Sequence, residues 1–255
     1  MKVAFHIHTA YSHDGHCALE KLHEKAVESG YGYLVITDHF EDLSEAQIQE
    51  LVDLCNEISS PHVGLIPGVE VVFEGKAHVL VIGLNGPLRK SDTVDIDALR
   101  EAARLQNALI GVAHLGDKCS LTVDELSKFD FIEAWNYRHN KGFPLRRNLE
   151  TVQRIDNVCI LGGLDLHMMH EFGGIWNEIE TGNPIDAIRN KRIISRNYIV
   201  EIDASGRIRN KATYYLLYPV WSVFISTANI VKKVFRLKGK RLPPVVRKIS
   251  KLLLG

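Results

Sequence analysis

The stretch Val3-Ala4-Phe5-His6-Ile7-His8 decides how the chain is read. Its apolar opening reads as the first β-strand, and its end carries two histidines two residues apart. On a strand, positions i and i+2 project from one face, so both imidazoles can grip the same ion. Asp14 follows in the turn Ser12-His13-Asp14-Gly15, close enough to complete a neighbouring position. The same arrangement recurs along the chain. Asp38-His39 follows the run Tyr33-Leu34-Val35-Ile36-Thr37, and Glu70 ends Pro67-Gly68-Val69-Glu70. His78 lies in Ala77-His78-Val79-Leu80, His114 follows Ile110-Gly111-Val112-Ala113, and Asp165 and His167 follow Leu161-Gly162-Gly163. One such pair carries little weight, because buried histidines are common. Five segments at strand ends point to one metal-dependent site built from the whole chain.

Helical stretches separate these strands. Residues 18–29 carry Leu19, Leu22, Ala26 and Val27 at helical spacing, and Gly30 supplies the stop. Ser44 is an N-cap for a helix over 45–58, and further helices are expected over 95–106, 123–128 and 145–155. The β-α alternation predicts an α/β fold with a parallel sheet covered on both faces. About seven repeats suit a closed barrel, whose active site lies at the C-terminal strand ends, where these residues fall. The barrel is expected over 1–205, with a separate extension over 206–255.

The 255 residues suffice for one such barrel, and 45% apolar with 24% charged residues fits a globular fold. Cys17, Cys55, Cys119 and Cys159 are widely spaced and are expected as free thiols. Met1-Lys2 leads straight into the first strand, so the expected location is the cytoplasm. A net charge of zero conceals an asymmetry. Residues 204–255 hold 12 Lys/Arg and no acid, leaving 19 basic and 31 acidic residues elsewhere. An acidic body suits cations, and a basic tail suits an anionic partner. Imidazoles and carboxylates without thiolate suit Zn, Mn, Fe or Co.

Taken together, the segments resemble the polymerase and histidinol phosphatase (PHP) superfamily of metal-dependent phosphoesterases. The chain has His6-Ile7-His8-Thr9-Ala10-Tyr11-Ser12 with Asp14-Gly15, then Thr37-Asp38-His39 and Pro67-Gly68-Val69-Glu70. His78, Ala113-His114-Leu115 and Gly163-Leu164-Asp165-Leu166-His167 complete the set in the family's order. Leu164 and Leu115 stand where the family carries Ser and Pro, neither of them a ligand position. The resemblance implies a distorted (β/α)7 TIM-like barrel holding two or three divalent ions (Zn, Mn or Fe). It implies one ion on His6, His8, Glu70 and Asp165, a second on Asp14, His39 and His167, and a third on Glu70, His78 and His114. His13, Asp14 and His16 compete for one of these positions, and Asp14 is preferred.

The implied reaction hydrolyses a phosphomonoester of a small metabolite or nucleotide through hydroxide generated on the metals, attacking phosphorus in line. The alternatives are an exonuclease-like phosphodiesterase on oligonucleotide ends and a non-catalytic metal-binding module tethered at a membrane. Asp38 is a candidate to orient His39 or to cap a turn. His170 is a candidate proton donor to the leaving oxygen, or a surface residue. Arg138, Lys118 and Arg146 are the expected phosphate clamps, Arg138 first, while Arg147 and Lys141 read as solvated. His23, His62 and His139 read as ordinary surface histidines.

Residues 212–231 are uncharged and rich in aromatics, and a run of Lys and Arg follows. Pro219 and Asn229 make a poor membrane span, while an interfacial segment on an anionic membrane fits the aromatics and the basic flank. A helix packed on the acidic body or in an oligomer contact is the alternative. A nucleic-acid partner fits less well, because no regular aromatic interleaving is present.

Overall fold

The computed structural model describes residues 1–116, 119–180 and 182–223. Strand β1 (Lys2–Ile7) is followed by helix α1 (Leu19–Glu28) and the parallel neighbour β2 (Tyr31–Ile36). Next come β3 (Asp38–His39), α2 (Glu45–Ile58), β4 (Gly64–Ile66), β5 (Gly68–Phe73) and β6 (Ala77–Ile82). Then follow α3 (Ile96–Leu105), β7 (Leu109–Val112), α4 (Val123–Leu126), β8 (Phe131–Asn136), α5 (Tyr137–Asn140) and α6 (Arg146–Val152). The order closes with β9 (Cys159–Gly163), β10 (Trp176–Ile179), α7 (Pro184–Arg189), β11 (Ile193–Arg196) and β12 (Glu201–Asp203). A further helix occupies 211–223. The expected helix starts hold where a cap exists. The Ser44 side chain accepts the Gln47 N–H in a reciprocal capping box, and Asp95 accepts the Ala98 N–H.

Among the described residues the strands form two six-stranded sheets, ordered β12-β11-β10-β1-β2-β4 and β3-β5-β6-β7-β8-β9. The chain crosses between them at Thr37, after β2, and at Pro67, after β4. Backbone bonds also join β1 to the segment after β9: Leu164 N–H donates to Phe5 O at 2.8 Å, and His8 N–H to Leu166 O at 2.8 Å. Two expectations need correction. The pairing gives two sheets rather than one closed ring. Nor is the alternation uniformly parallel, because β6 runs antiparallel to β5 and β7. Only Glu74, Gly75 and Lys76 separate β5 from β6, far too few for a crossover helix, so the pair must close as a hairpin. Strands β10, β11 and β12, unforeseen in the sequence, extend the first sheet antiparallel from β1.

The strand pleat sorts the core into two clusters. Val3 and Phe5 pack with Leu80, Ile82, Phe131 and Leu161 from the other sheet, and the Phe5 and Phe131 rings meet edge to face at 5.4 Å. Ala4, on the opposite face, and Ile7, turned to that face by the irregular backbone at His6, join Leu22, Leu34, Ile48 and Leu51 beneath the helices. The functional site therefore rests on a rigid apolar floor. All four cysteines are free. Among the described residues no helix is long and apolar enough to cross a membrane.

Candidate metal centre

His6 and His8 converge by a less regular route than a flat strand. His6 has φ 65°, and the β1–β2 register shifts between Ala4 and Ile7. His114 (φ 28°) and Asp165 (φ 53°) also sit at positive φ. For non-glycine residues such backbone costs about 1–3 kcal/mol each and persists only where the surroundings enforce it. Here the enforcing contacts are the backbone bonds between β1 and the segment after β9, which hold His6, His8 and Leu166 in register.

Glu70 lies between the groups of histidines. Its Oε1 is 2.9 Å from His78 Nδ1 and 3.1 Å from His114 Nε2. Its Oε2 lies 3.3 Å from both His6 Nε2 and His8 Nε2, and 3.5 Å from His39 Nδ1. Asp165 Oδ1 approaches His8 Nε2 at 3.5 Å and His6 Nε2 at 3.9 Å. Asp14 reaches His39 Nε2 at 3.3 Å through Oδ1 and His167 Nε2 at 3.0 Å through Oδ2. The His6 and His8 Nε2 atoms stand only 3.1 Å apart. Among the described residues four sets able to hold a metal result: His8-Asp14-His39-His167, His6-His8-Glu70, Glu70-His78-His114 and His114-His139-Asp165.

A surrounding shell fixes which ring nitrogen faces inward. Glu133, fully buried, accepts from His6 Nδ1 at 3.0 Å, from the His114 N–H at 2.6 Å and from Asn136 Nδ2 at 2.8 Å. A carboxylate only accepts, so His6 Nδ1 keeps a proton toward Glu133, and Nε2, which faces Glu70, is the nitrogen that would bind an ion in place of its own proton. His167 Nδ1 likewise donates to the Asp165 carbonyl at 3.0 Å, leaving Nε2 toward Asp14. Two glycines make room for the shell. A Cβ at Gly163 would lie 1.4 Å from Glu133 Oε1, and one at Gly15 would lie 1.9 Å from Thr9 O.

Burial alone would push the His6 imidazole down, but the facing carboxylates of Glu133, Asp165 and Glu70 hold it well above the usual histidine range. For His8, burial is likewise outweighed by hydrogen bonds with Asp165 and Glu70, raising it to about 9. Burial pushes Glu70 and Asp165 up, yet the histidines around them hold both well below the usual carboxylate range. His39 and His167 are lowered by burial and by their neighbour His8. The cluster thus balances concentrated carboxylate charge with cationic partners.

The structure brings together His6, His8, Asp14, His39, Glu70, His78, His114, Asp165 and His167. His13 turns away to Asp42 at 2.7 Å, while Asp14 faces the cluster. Asp38 does not point at the His39 ring. It accepts from Thr9 N–H (2.7 Å), Thr9 Oγ1 (2.8 Å) and Ser12 Oγ (2.6 Å), and so ties down the loop before Asp14. Ser12 Oγ in turn lies 3.3 Å from His8 Nδ1 and accepts the His39 N–H at 3.0 Å. Asp38 thereby steadies both histidines through Ser12. His170 is exposed on a turn and belongs to none of the four sets. Arg138 Nη1 donates to Glu171 at 3.2 Å, and Glu171 also accepts the His167 N–H. Arg146 is paired with Glu150 at 2.8 Å beside the C-terminal helix. Lys118 lies outside the described residues.

Two residues were passed over in the sequence. Asn136 caps α5, whose turn carries His139 Nε2 to 3.4 Å from Asp165 Oδ2. Glu133 offered a signal, a carboxylate inside an apolar strand, which burial permits only when it is paired. Beside His114 and His139 opens a cavity of about 240 Å³, also lined by Leu115, Leu145 and Arg147.

The two sheets and their shared histidine–carboxylate cluster define an α/β protein with groups able to hold metal. Residues 4–205 match the family model described as the PHP domain, and the chain belongs to that family. Among solved structures, a candidate metal-dependent phosphoesterase from Bifidobacterium adolescentis aligns at 19% identity with a TM-score of 0.46. That alignment covers 65% of this chain and 87% of the other. No curated protein matches the chain.

Proposed function

We propose that the protein is a metal-dependent phosphoesterase acting on a small phosphomonoester. Two or three divalent ions would be held by His6, His8, Glu70 and Asp165, by Asp14, His39 and His167, and by Glu70, His78 and His114. The observation that carries this reading is Glu70, whose two oxygens face separate histidine groups at 2.9–3.5 Å. Such a carboxylate suits a bridge between cations. The donor set fits the group: imidazole nitrogens and carboxylate oxygens lie within 4.8 Å of one another in each set. Asp14 Oδ1 is moreover buried and accepts no hydrogen bond, an acceptor that a cation would satisfy. The backbone links between β1 and the segment after β9 support reading the two sheets as halves of a distorted (β/α)7 barrel.

Bound divalent ions would supply water of lowered pKa and neutralise charge on phosphoryl oxygens. The chain itself supplies placement. Glu133, Ser12 and the Asp165 carbonyl fix three imidazole rings, so little reorganisation is left for the reacting complex. His139 and Arg147 border the cavity and offer N–H donors to phosphate oxygens, with Arg138 nearby on the same short helix as His139.

Hydrolysis of p-nitrophenyl phosphate and bis-p-nitrophenyl phosphate, with and without chelator, tests the reading. The monoester should be cleaved faster, and chelation should abolish both activities. Faster cleavage of the diester would favour the phosphodiesterase alternative, and chelator-resistant turnover would refute a metal-dependent site.

A further inference from the structure

The helix over 211–223 has two unlike faces, and neither is explained by the metal centre. Its inner face is anchored. Tyr214 is 2% exposed and donates its hydroxyl to Pro144 O at 3.3 Å, while the Tyr218 hydroxyl accepts the Arg146 N–H at 3.4 Å. Tyr214, Tyr218 and Trp221 gather around Phe143, with ring centroids 5.6–6.3 Å away. Spacings of four and three residues put these on one stripe, which fixes the helix rotation. The packing alternative read from the sequence therefore accounts for this face alone.

The outer face is apolar where solvent should select charge. Leu216 is 73% exposed, Val220 70% and Tyr215 62%, and Pro219 is exposed beside them. No charged residue occurs between Lys211 and Lys232 to break the stripe. A helix packed on a soluble body ordinarily turns polar residues outward. Cations border the stripe instead. Arg207, just before the helix, and Lys211, its first residue, line a cleft of about 290 Å³ with Tyr215 and the paired Arg146 and Glu150. Beyond the described residues the sequence adds Lys232, Lys233, Arg236, Lys238, Lys240, Arg241, Arg247, Lys248 and Lys251, with no acidic residue.

We propose that this helix docks the protein flat on an anionic lipid bilayer, with Leu216 and Val220 entering the interface and the flanking Lys and Arg meeting lipid headgroups. Charge complementarity selects this occupant. A second copy paired stripe to stripe would set one cation-only segment against another. A bilayer offers anionic charge and apolar depth side by side, which is the pattern the helix presents. Pro219, inside the uncharged run, suits a helix lying on the surface better than one crossing a bilayer. Tyr214, Tyr218 and Trp221 then act as the hinge plate that ties the membrane-facing helix to the catalytic body.

Co-sedimentation of the full chain with vesicles tests the proposal without reference to catalysis. The vesicles are phosphatidylcholine alone and phosphatidylcholine mixed with phosphatidylserine. The protein should sediment with the mixed vesicles, not with the neutral ones, and high salt should release it. L216E/V220E should bind the mixed vesicles at least about tenfold more weakly, and so should K232E/K233E, since each basic residue adds severalfold to such binding. Leu216 and Val220 lie off the anchored face, so the thermal melt of L216E/V220E should match the wild type. Wild-type protein that ignores anionic vesicles, or L216E/V220E that binds them unchanged, overturns the proposal. So does a dimer in solution that L216E/V220E dissolves while no vesicle is bound, because the stripe would then belong to a second copy.

Discussion

Replacing Glu133 by glutamine should loosen metal binding while leaving the fold in place, and the geometry says why. Glu133 Oε1 lies 3.0 Å from His6 Nδ1, and Oε2 takes the His114 N–H at 2.6 Å and Asn136 Nδ2 at 2.8 Å. Glutamine keeps the volume but has one carbonyl oxygen and one amide nitrogen. If the nitrogen replaces Oε2, two buried donors lose their acceptor, at about 1–3 kcal/mol each. If it replaces Oε1, it faces one donor, and that conflict is relieved when His6 moves its proton to Nε2. The second arrangement is cheaper, so it should prevail. It places a proton on the nitrogen that faces Glu70, and the cost falls on metal affinity. Losing an orienting partner of this kind typically weakens metal binding about 10–100-fold, equivalent to about 1.4–2.8 kcal/mol. Competition against a fluorescent chelator measures the affinity, and circular dichroism melts of the metal-free proteins control for folding. A Glu133→Gln protein that binds Mn or Zn as tightly as wild type would refute the argument that Glu133 sets the His6 tautomer.

Three further outcomes follow from the same geometry. Gly163→Ala drives a Cβ to within 1.4 Å of the present Glu133 Oε1 position, so it should cost about 1–3 kcal/mol in denaturant titration and weaken metal binding as well; an unperturbed midpoint would contradict the packing. His78→Ala removes one Glu70 partner from a half-buried position, so metal content should fall and turnover drop at least about tenfold with little change in melting; unchanged metal content would remove His78 from the centre. Burial pushes Glu178 up, but hydrogen bonds from Trp176 Nε1 and Arg196 Nη1 outweigh it and hold the carboxyl below its usual value. A depressed carboxyl stabilises above its unfolded pKa of about 4.3 and loses that contribution as pH falls. The melting advantage of wild type over Glu178→Gln should therefore shrink from about pH 5 to about pH 3, and a constant difference would contradict the assignment.

The cluster was legible because its members come as fixed spacings at strand ends: His6 and His8, Asp38 and His39, Asp165 and His167. A local signal also located α2, from its cap Ser44. What stayed hidden depends on distant partners. The positive φ of His6, His114 and Asp165 is imposed by backbone bonds from other strands, and no residue type at those positions announces it. The reversal at β6 was in principle readable, since a three-residue connection centred on Gly75 (φ 70°) cannot hold a crossover. His139 is exposed, as its sequence suggests, and its reach toward Asp165 depends on where α5 points, which Asn136 and the end of β8 decide. Asp38, adjacent to a ligand candidate in sequence, faces away from the cluster because strand neighbours project to opposite sides.

The central claim is that one cluster, bridged by Glu70, holds the ions on which hydrolysis depends. Elemental analysis of the purified chain by mass spectrometry, paired with phosphatase assays on the same samples, tests it most directly. Wild type should carry two or three Zn, Mn or Fe ions and lose activity in step with them under chelation, and Glu70→Ala should lose both. Less than one transition-metal ion per chain, with no hydrolysis restored by manganese or zinc, would contradict the account.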